Sequence, residues 1–184
     1  MSSGAAFSVL PQFFPQHWLV DMPELIHTGF PSRIRIGYVV RAGGGYSYLM
    51  REEFEALGLT PSQLHETALS NLGALTMPKF HVGKTPGGAE AFLSDDVDNF
   101  TAIRILLPVV RQALVSQLGT EHFAAIPCRD WFICWSKDQH PDYQAKNLRD
   151  ARDSFLKDEY NLTPDILRVS DSGFHLHLEQ AVDG

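Results

Sequence analysis

Four short turn segments rich in glycine, proline and aspartate divide the chain, and each separates two runs of residues that favour β-strands. Such turns between β-rich runs are typical of β-hairpins, whose strands pair antiparallel. The turns lie at 43–45, 85–88, 127–130 and 171–173, and the predicted pairs are 34–41 with 46–48, 75–82 with 89–93, 123–126 with 131–136, and 166–169 with 174–178. The sequence therefore predicts mainly antiparallel pairing.

Helical segments lie between these hairpins. A short helix over 51–57 is expected to stop at Gly58, and Thr60 with Gln63 forms a capping box that starts a second helix at Pro61. Leucine and alanine at 64, 68 and 72 lie on one face of that helix, and Gly73 is placed to end it.

The longest helical pattern begins after Asp98 or Asn99 and runs to Gly119, with apolar residues at helical spacing. Pro108 lies inside it and removes one helix hydrogen bond, so we expect a kink or break near Leu107. A last helix over 142–160 is expected to bury the side formed by Ala145, Leu148, Phe155 and Leu156.

These elements predict an α+β fold, in which a mainly antiparallel sheet of hairpins carries helices packed on it as a two-layer sandwich. We expect a single domain over residues 1–184. Residues 1–32 are predicted to be an extended segment docked on that domain, because Pro11 and Pro15 interrupt the aromatic run at 7–18 and disfavour a regular element there.

Composition excludes several classes of protein. No stretch approaches the roughly 20 apolar residues of a membrane span, so no membrane partner is expected. The formal net charge is −7, from 22 acidic and 15 basic residues, which disfavours nucleic acid. Two cysteines and the lack of a readable N-terminal address predict a cytoplasmic protein. The partner is expected to be a protein or a small-molecule ligand, and a homodimer stays open.

The segment around the third turn combines ionisable groups with dense aromatic residues. Here Arg129 could hold a carboxylate or phosphate, and Asp130 lies beside apolar rings that would perturb its pKa. The alternative is that Asp130 organises the turn and the tryptophans fill the core. The candidate ligand-binding residues are Arg129, Asp130, Trp131, Trp135 and Arg104.

Other reactive groups favour structural interpretations. Cys128 would be a nucleophile only beside a histidine such as His122 or His140, and a buried, reduced cysteine is favoured. One face of the last strand carries His175, His177 and Glu179, while Phe174, Leu176 and Leu178 are expected to face the core. His175 and His177 could hold a metal only with a further ligand such as His81 or His122, and a solvated strand face is favoured. Acidic residues at 95, 96 and 98 are expected to interact favourably with the dipole of the following helix. No cofactor or metal is predicted.

Several motifs occur in an order that resembles a known family. They are YLM at 48–50, LGLT at 57–60, ALSNL at 68–72, DNFTA at 98–102, RIL at 104–106, and AIP at 125–127 with Asp130. Together they resemble the YtpQ-like family defined by domain of unknown function 1444, over residues 9–178, although the details at 129–132 and 134–136 depart from it. The resemblance implies an α+β domain of bacterial type. The family has no established activity, so the resemblance assigns no residue a role.

Two functions are consistent with these patterns. The first is a non-catalytic module, binding or regulatory, that presents an aromatic surface to a protein or a small ligand. The alternative is a small hydrolase-type enzyme that uses Asp130 and Arg129 with a histidine or a bound metal.

Overall fold

The computed structural model describes residues 8–42, 44–94 and 98–181, and in these residues the strands form two sheets. The first sheet contains β1 (Val9–Pro15), β2 (His27–Gly29), β3 (Ile34–Ala42) and β4 (Gly45–Tyr48); the second contains β5 (Phe80–Lys84), β6 (Glu90–Ser94), β7 (His122–Cys128), β8 (Trp131–Ser136), β9 (Ile166–Ser170) and β10 (Gly173–Leu178). The α-helices are α1 (Arg51–Leu57), α2 (Pro61–Ala74), α3 (Pro108–Leu118) and α4 (Pro141–Lys157), and 3-10 helices occupy Gln16–Val20 and Ala102–Leu106.

The predicted α+β class, with helices packed on antiparallel hairpins, is confirmed. The four predicted hairpins are the pairs β3–β4, β5–β6, β7–β8 and β9–β10, and each is antiparallel. Gly43 of the first turn lies outside the described residues. The sequence did not predict the division into two sheets, in which β3 is central to the first and the second has the order β10-β9-β7-β8-β6-β5.

The prediction that residues 7–18 lack a regular element was wrong. Strand β1 pairs with β3 from Val9 opposite Val40 to Pro15 opposite Ile34, and all seven of its residues are buried. Its prolines are tolerated because β1 pairs on one side only, and an edge strand does not need every backbone N–H for the ladder.

The capping signals at the start of α2 were read correctly, and its end was read less well. Thr60 caps α2, with its hydroxyl accepting from the Gln63 N–H at 3.3 Å, and the Gln63 side chain accepts from the Thr60 N–H at 2.9 Å. The helix continues through Gly73 to Ala74, one residue beyond the predicted end. Its buried residues are Leu64, Ala68 and Leu72, as expected.

Pro108 breaks the predicted long helix into two pieces. Leu107 is extended (φ −69°, ψ 134°) because a residue before proline avoids the helical region, and Pro108 then occupies the first turn of α3. The predicted break is therefore confirmed, and the continuous helix from 100 to 118 was wrong: its first part is the 3-10 helix at Ala102–Leu106.

The buried side of α4 matches the predicted one only in part. Leu148 packs against the core, but Ala145 is exposed and Leu156 is 60% exposed, and the fully buried residues are Asn147 and Ala151. The side-chain amide of Asn147 donates to the Glu90 carbonyl at 3.3 Å and turns this polar residue towards the sheet. A hydrophobic pattern cannot detect an orientation that a buried hydrogen bond decides.

The second sheet separates two cores. Along β8, Trp131, Ile133 and Trp135 point to the face that α4 covers, whereas Phe132 and Cys134 point into the larger core between the two sheets. This alternation follows from the period of two in a strand. None of the helices among the described residues is both long enough and apolar enough to cross a membrane.

A buried carboxylate ties the two sheets together. Asp165, which precedes β9, accepts hydrogen bonds from the Ser32 hydroxyl at 2.8 Å and from the Gln180 N–H at 3.1 Å. It also forms an ion pair with Arg33, whose Nε donates at 3.1 Å. We call this group the Asp165 clamp. It fixes how the segment before β3 sits against the segment before β9, and both segments contribute to the wall of the second cavity described below.

Candidate functional site

A cavity of about 420 Å³ opens where the first sheet meets the β7–β8 turn and the segment that follows α4. We call it the junction cavity. Its size lies in the range of about 300–1,000 Å³ typical of small-molecule sites. Its lining consists mainly of aromatic side chains and a single arginine, with amides, His17 and Glu159 beside them. The aromatic residues, the arginine and one of the amides are Trp18, Tyr46, Tyr48, Tyr160, Arg129 and Asn99.

The aromatic wall is formed by residues that the pairing of β1 with β3 brings together. The rings of Trp18 and Tyr48 meet edge to face at 5.9 Å between centroids. Gly37 of β3 makes room for this packing, because a Cβ there would lie 2.9 Å from the Phe14 ring and 3.0 Å from the Tyr48 ring. Tyr46 is 43% exposed, so one ring of the wall is accessible from solvent.

The Tyr48 hydroxyl is a neutral hydrogen-bond donor in the lining of the cavity. It donates to the Gln12 side-chain oxygen at 3.3 Å. Burial raises the pKa of Tyr48 well above its ordinary value, and the nearby Arg129 charge opposes that rise only in part. The phenol therefore stays protonated across the physiological pH range.

Arg129 is held firmly in the lining of the cavity. Its guanidinium lies 3.6 Å from the centroid of the Tyr160 ring, a cation–π contact. Nε donates to Asp130 Oδ1 at 3.0 Å, and one terminal nitrogen donates to Asn99 Oδ1 at 3.2 Å. Within the described residues the other terminal nitrogen, Nη1, makes no hydrogen bond, so the side chain retains a donor for an anionic group.

The backbone explains why the arginine is fixed there. The Arg129 N–H donates to the Tyr160 carbonyl at 3.0 Å, and the Arg129 carbonyl accepts from the Ala102 N–H at 3.2 Å. The β7–β8 turn is therefore tied to the segment after α4 on one side and to the 3-10 helix at Ala102–Leu106 on the other.

The structure does not bring the other predicted ligand-binding residues to this cavity. Asp130 is the ion-pair partner of Arg129 in the turn. Trp131 faces α4, where its indole N–H donates to the Ser154 hydroxyl at 2.7 Å, and Trp135 is buried on the same face. Arg104 is fully buried and bonds to Asp98 at 2.5 Å and to the Thr76 carbonyl at 3.2 Å. Only Arg129 and Asp130 of the predicted set lie together.

Sequence reasoning missed the aromatic wall. Trp18, Tyr46, Tyr48 and Tyr160 come from three separated parts of the chain. The first three could have been associated only by pairing β1 with β3, and the proline-containing segment of β1 argued against a strand. Tyr160 was predicted to end the last helix, but α4 ends at Lys157, so Tyr160 lies in the irregular segment that follows it.

The cysteine and histidine candidates for catalysis are held in structural roles. Burial raises the pKa of Cys128 to about 12, so its thiol is protonated near neutral pH. His122 is buried and donates from Nδ1 to the Gly119 carbonyl at 3.0 Å, and His140 caps α4. His17 lines the junction cavity together with Arg129. Asp130 forms an ion pair with Arg129.

The histidines of β10 lie on an exposed edge strand. His175 is hydrogen-bonded to the Ser172 hydroxyl at 2.8 Å, and the His177 ring packs on Phe123 with centroids 4.5 Å apart. Across the described ranges, no group of three or more histidine, cysteine or acidic residues is arranged to hold a metal. The expectation that Leu176 and Leu178 face the core was wrong: both are more than 40% exposed, because β10 is an edge strand of the second sheet.

Only part of the predicted acidic cluster lies within the described residues. Asp95 and Asp96 lie outside the described residues. Asp98 accepts from the Phe100 N–H at 2.8 Å and from Arg104 at 2.5 Å. Burial by itself would raise the pKa of Asp98, but these hydrogen bonds lower it, so this carboxylate is the partner of a buried arginine.

The fold and the cavity define an α+β protein with an aromatic-lined cavity at the junction of two antiparallel sheets. No family model, curated protein or solved structure matches this chain. The resemblance to the YtpQ-like family therefore stays a prediction.

Proposed function

We propose that this chain is a non-catalytic binding module that takes a small ligand, with a planar ring and an anionic group, in the junction cavity. The observation that carries the proposal is the position of Arg129, held by Tyr160, Asp130 and Asn99 in the lining of an aromatic-walled cavity. The guanidinium keeps Nη1 for a ligand, and its fork matches a carboxylate or phosphate.

The rest of the cavity suits a flat ring. Trp18, Tyr46 and Tyr48 supply aromatic surface, and stacking of a base or similar ring on such a side chain contributes about 1–3 kcal/mol in nucleotide-binding proteins. Glu159 and the side-chain amide of Asn161 supply hydrogen-bonding groups for polar substituents. Arg129 is only 20% exposed, so its charge acts where water is partly excluded and is less screened than a surface charge.

Ring and charge can be separated by binding measurements with matched probes. Isothermal titration calorimetry would compare adenosine 5′-monophosphate with adenosine, which lacks the anion, and with ribose 5-phosphate, which lacks the ring. Indole-3-acetate tests whether an aryl carboxylate replaces the nucleotide. We expect a ring-plus-anion compound to bind at least tenfold tighter than either part. Equal or undetectable binding of all four compounds would overturn the proposal.

Matched variants locate the site. Tyr46→Leu removes an exposed ring from the cavity wall and should weaken binding about five- to tenfold. Tyr143→Leu is the control, because Tyr143 is 42% exposed, nearly the same as Tyr46, but lies on α4. Arg129→Lys keeps the charge and should still lose affinity, since lysine lacks the planar fork. Circular dichroism would confirm that each variant is folded.

A further inference from the structure

A second cavity, of about 500 Å³, adjoins the junction cavity. We call it the side cavity. The two share His17, Asn161 and Leu162 in their walls and are therefore neighbours. Most of the exposed surface of the side cavity is apolar and comes from residues such as Phe155 and Val20, which is 82% exposed, although polar residues including Arg33 also line it.

Asn161 presents an unused pair of main-chain groups between the two cavities. It forms an isolated antiparallel bridge with Cys128. The hydrogen bonds of this bridge come from the flanking residues, Arg129 N–H to the Tyr160 carbonyl at 3.0 Å and Leu162 N–H to the Pro127 carbonyl at 2.8 Å. In this pattern the N–H and C=O of Asn161 itself point away from β7.

These main-chain groups of Asn161 are open to a ligand. Within the described ranges they make no backbone hydrogen bond, and Asn161 is exposed. An exposed N–H and C=O beside side-chain cavities is the arrangement by which proteins bind an extended peptide as an added strand.

We propose that the ligand is the C-terminal end of an extended peptide, with an aromatic last residue. This rests on the proposed function, because the terminal residue supplies the ring and the anion: its carboxylate binds Arg129 and its ring occupies the junction cavity. The preceding residue pairs with the main chain of Asn161. The residue before that one points to the same side as the terminal residue, about 6.6 Å along the strand, and places an aliphatic side chain in the side cavity.

Charge and chemistry favour this occupant over a single small molecule. A free nucleotide or aryl acid would satisfy Arg129 and the aromatic wall but would leave the Asn161 groups and the apolar side cavity unoccupied. A peptide carboxyl terminus uses all three features.

The test uses acetyl-Leu-Ala-Phe with a free carboxylate, measured by calorimetry on the full chain. We expect it to bind at least tenfold tighter than N-acetyl-phenylalanine, which fills the junction cavity alone. Conversion of the carboxylate to an amide should weaken binding at least tenfold. Methylation of the alanine nitrogen keeps every side chain and removes the donor to the Asn161 carbonyl, so it should weaken binding about tenfold.

Protein variants test the contact with the side cavity. Phe155→Ala should weaken the tripeptide at least fivefold and leave N-acetyl-phenylalanine unaffected. Leu156→Ala is the matched control, because the neighbouring Leu156 is 60% exposed and does not line the side cavity.

The outcomes separate the two proposals. Suppose that N-acetyl-phenylalanine or adenosine 5′-monophosphate binds, but the tripeptide binds no tighter than N-acetyl-phenylalanine and keeps its affinity after N-methylation. The peptide proposal is then wrong and the ring-plus-anion site stands. If Phe155→Ala weakens the tripeptide but the C-terminal amide of the tripeptide binds as tightly as the free carboxylate, both the carboxylate contact and the peptide proposal are wrong. If no ring-plus-anion compound binds, both proposals are overturned.

Discussion

Replacement of Asp165 by alanine tests whether the Asp165 clamp holds the two sheets together. The side chain of Asp165 is 1% exposed and accepts from Arg33, from Ser32 at 2.8 Å and from the Gln180 N–H at 3.1 Å. Alanine removes every acceptor at once. Among the described residues, Arg33 then keeps only the Gln180 carbonyl and the more distant Glu179, at 3.9 Å, and the Ser32 hydroxyl keeps only the Thr163 hydroxyl, at 3.1 Å.

The expected loss can be worked from the exposure of the partners. Removing one member of a buried ion pair typically costs about 3–5 kcal/mol. Arg33 is 37% exposed, so water can solvate its guanidinium when the carboxylate is gone, and we expect about 2–3 kcal/mol. For a chain of this size each kcal/mol lowers the melting temperature by about 2–4 °C, so the midpoint should fall by about 4–12 °C.

The effect should depend on pH in a defined direction. Burial alone would raise the pKa of Asp165, but hydrogen bonds from Arg33, Ser32 and the Gln180 N–H lower it below the ordinary value of 3.8. A group whose pKa is lowered by folding stabilises the protein above its unfolded pKa, and this stabilisation is lost as the pH falls through the folded value. The difference between native chain and variant should therefore be full at pH 7 and smaller at pH 3.

Urea unfolding at both pH values measures the difference directly. The control is Asp153→Ala, because Asp153 pairs with Lys157 at 3.5 Å on the surface of α4, with both side chains more than 60% exposed. This exposed pair should contribute less than about 0.5 kcal/mol. The reasoning would be refuted if Asp165→Ala cost no more than the control, or if its cost did not shrink in acid.

Three further results are expected. Phe132→Ala should lower the free energy of unfolding in urea by about 3–5 kcal/mol, because Phe132 is 1% exposed in the core between the sheets; a loss below 1 kcal/mol would contradict that packing. Burial lowers the pKa of His65, whose Nδ1 is 3.0 Å from the Tyr38 hydroxyl, so stability should fall as the pH drops below 6.5, and the same titration of His65→Gln should show a shallower slope. Burial raises the pKa of both Cys128 and Cys134, so neither should react with a thiol reagent at pH 7 until denaturant is added, and rapid labelling of the native chain would disprove their burial.

The candidate site was only partly predictable. The turn chemistry pointed to the β7–β8 turn, and Arg129 of that turn lines the junction cavity. Strand alternation places Trp131 and Trp135 on the other face of the second sheet, against α4. Since alternation fixes only that two residues share a face, a sequence does not show which face meets a helix and which faces a cavity.

Local signals determined the elements of this chain. Turn residues and β-rich runs gave the four hairpins, the Thr60 capping box began α2, and Pro108 broke the helical pattern at Leu107, because each of these depends on a few neighbouring residues. Tertiary structure alone decided the rest. The pairing of β1 with β3, the rotation of α4 about Asn147 and the convergence of Trp18, Tyr48 and Arg129 on one cavity each join residues far apart in sequence. Such contacts form only when long-range packing and hydrogen bonds offset the entropy of closing the chain between them, and no local pattern records that balance.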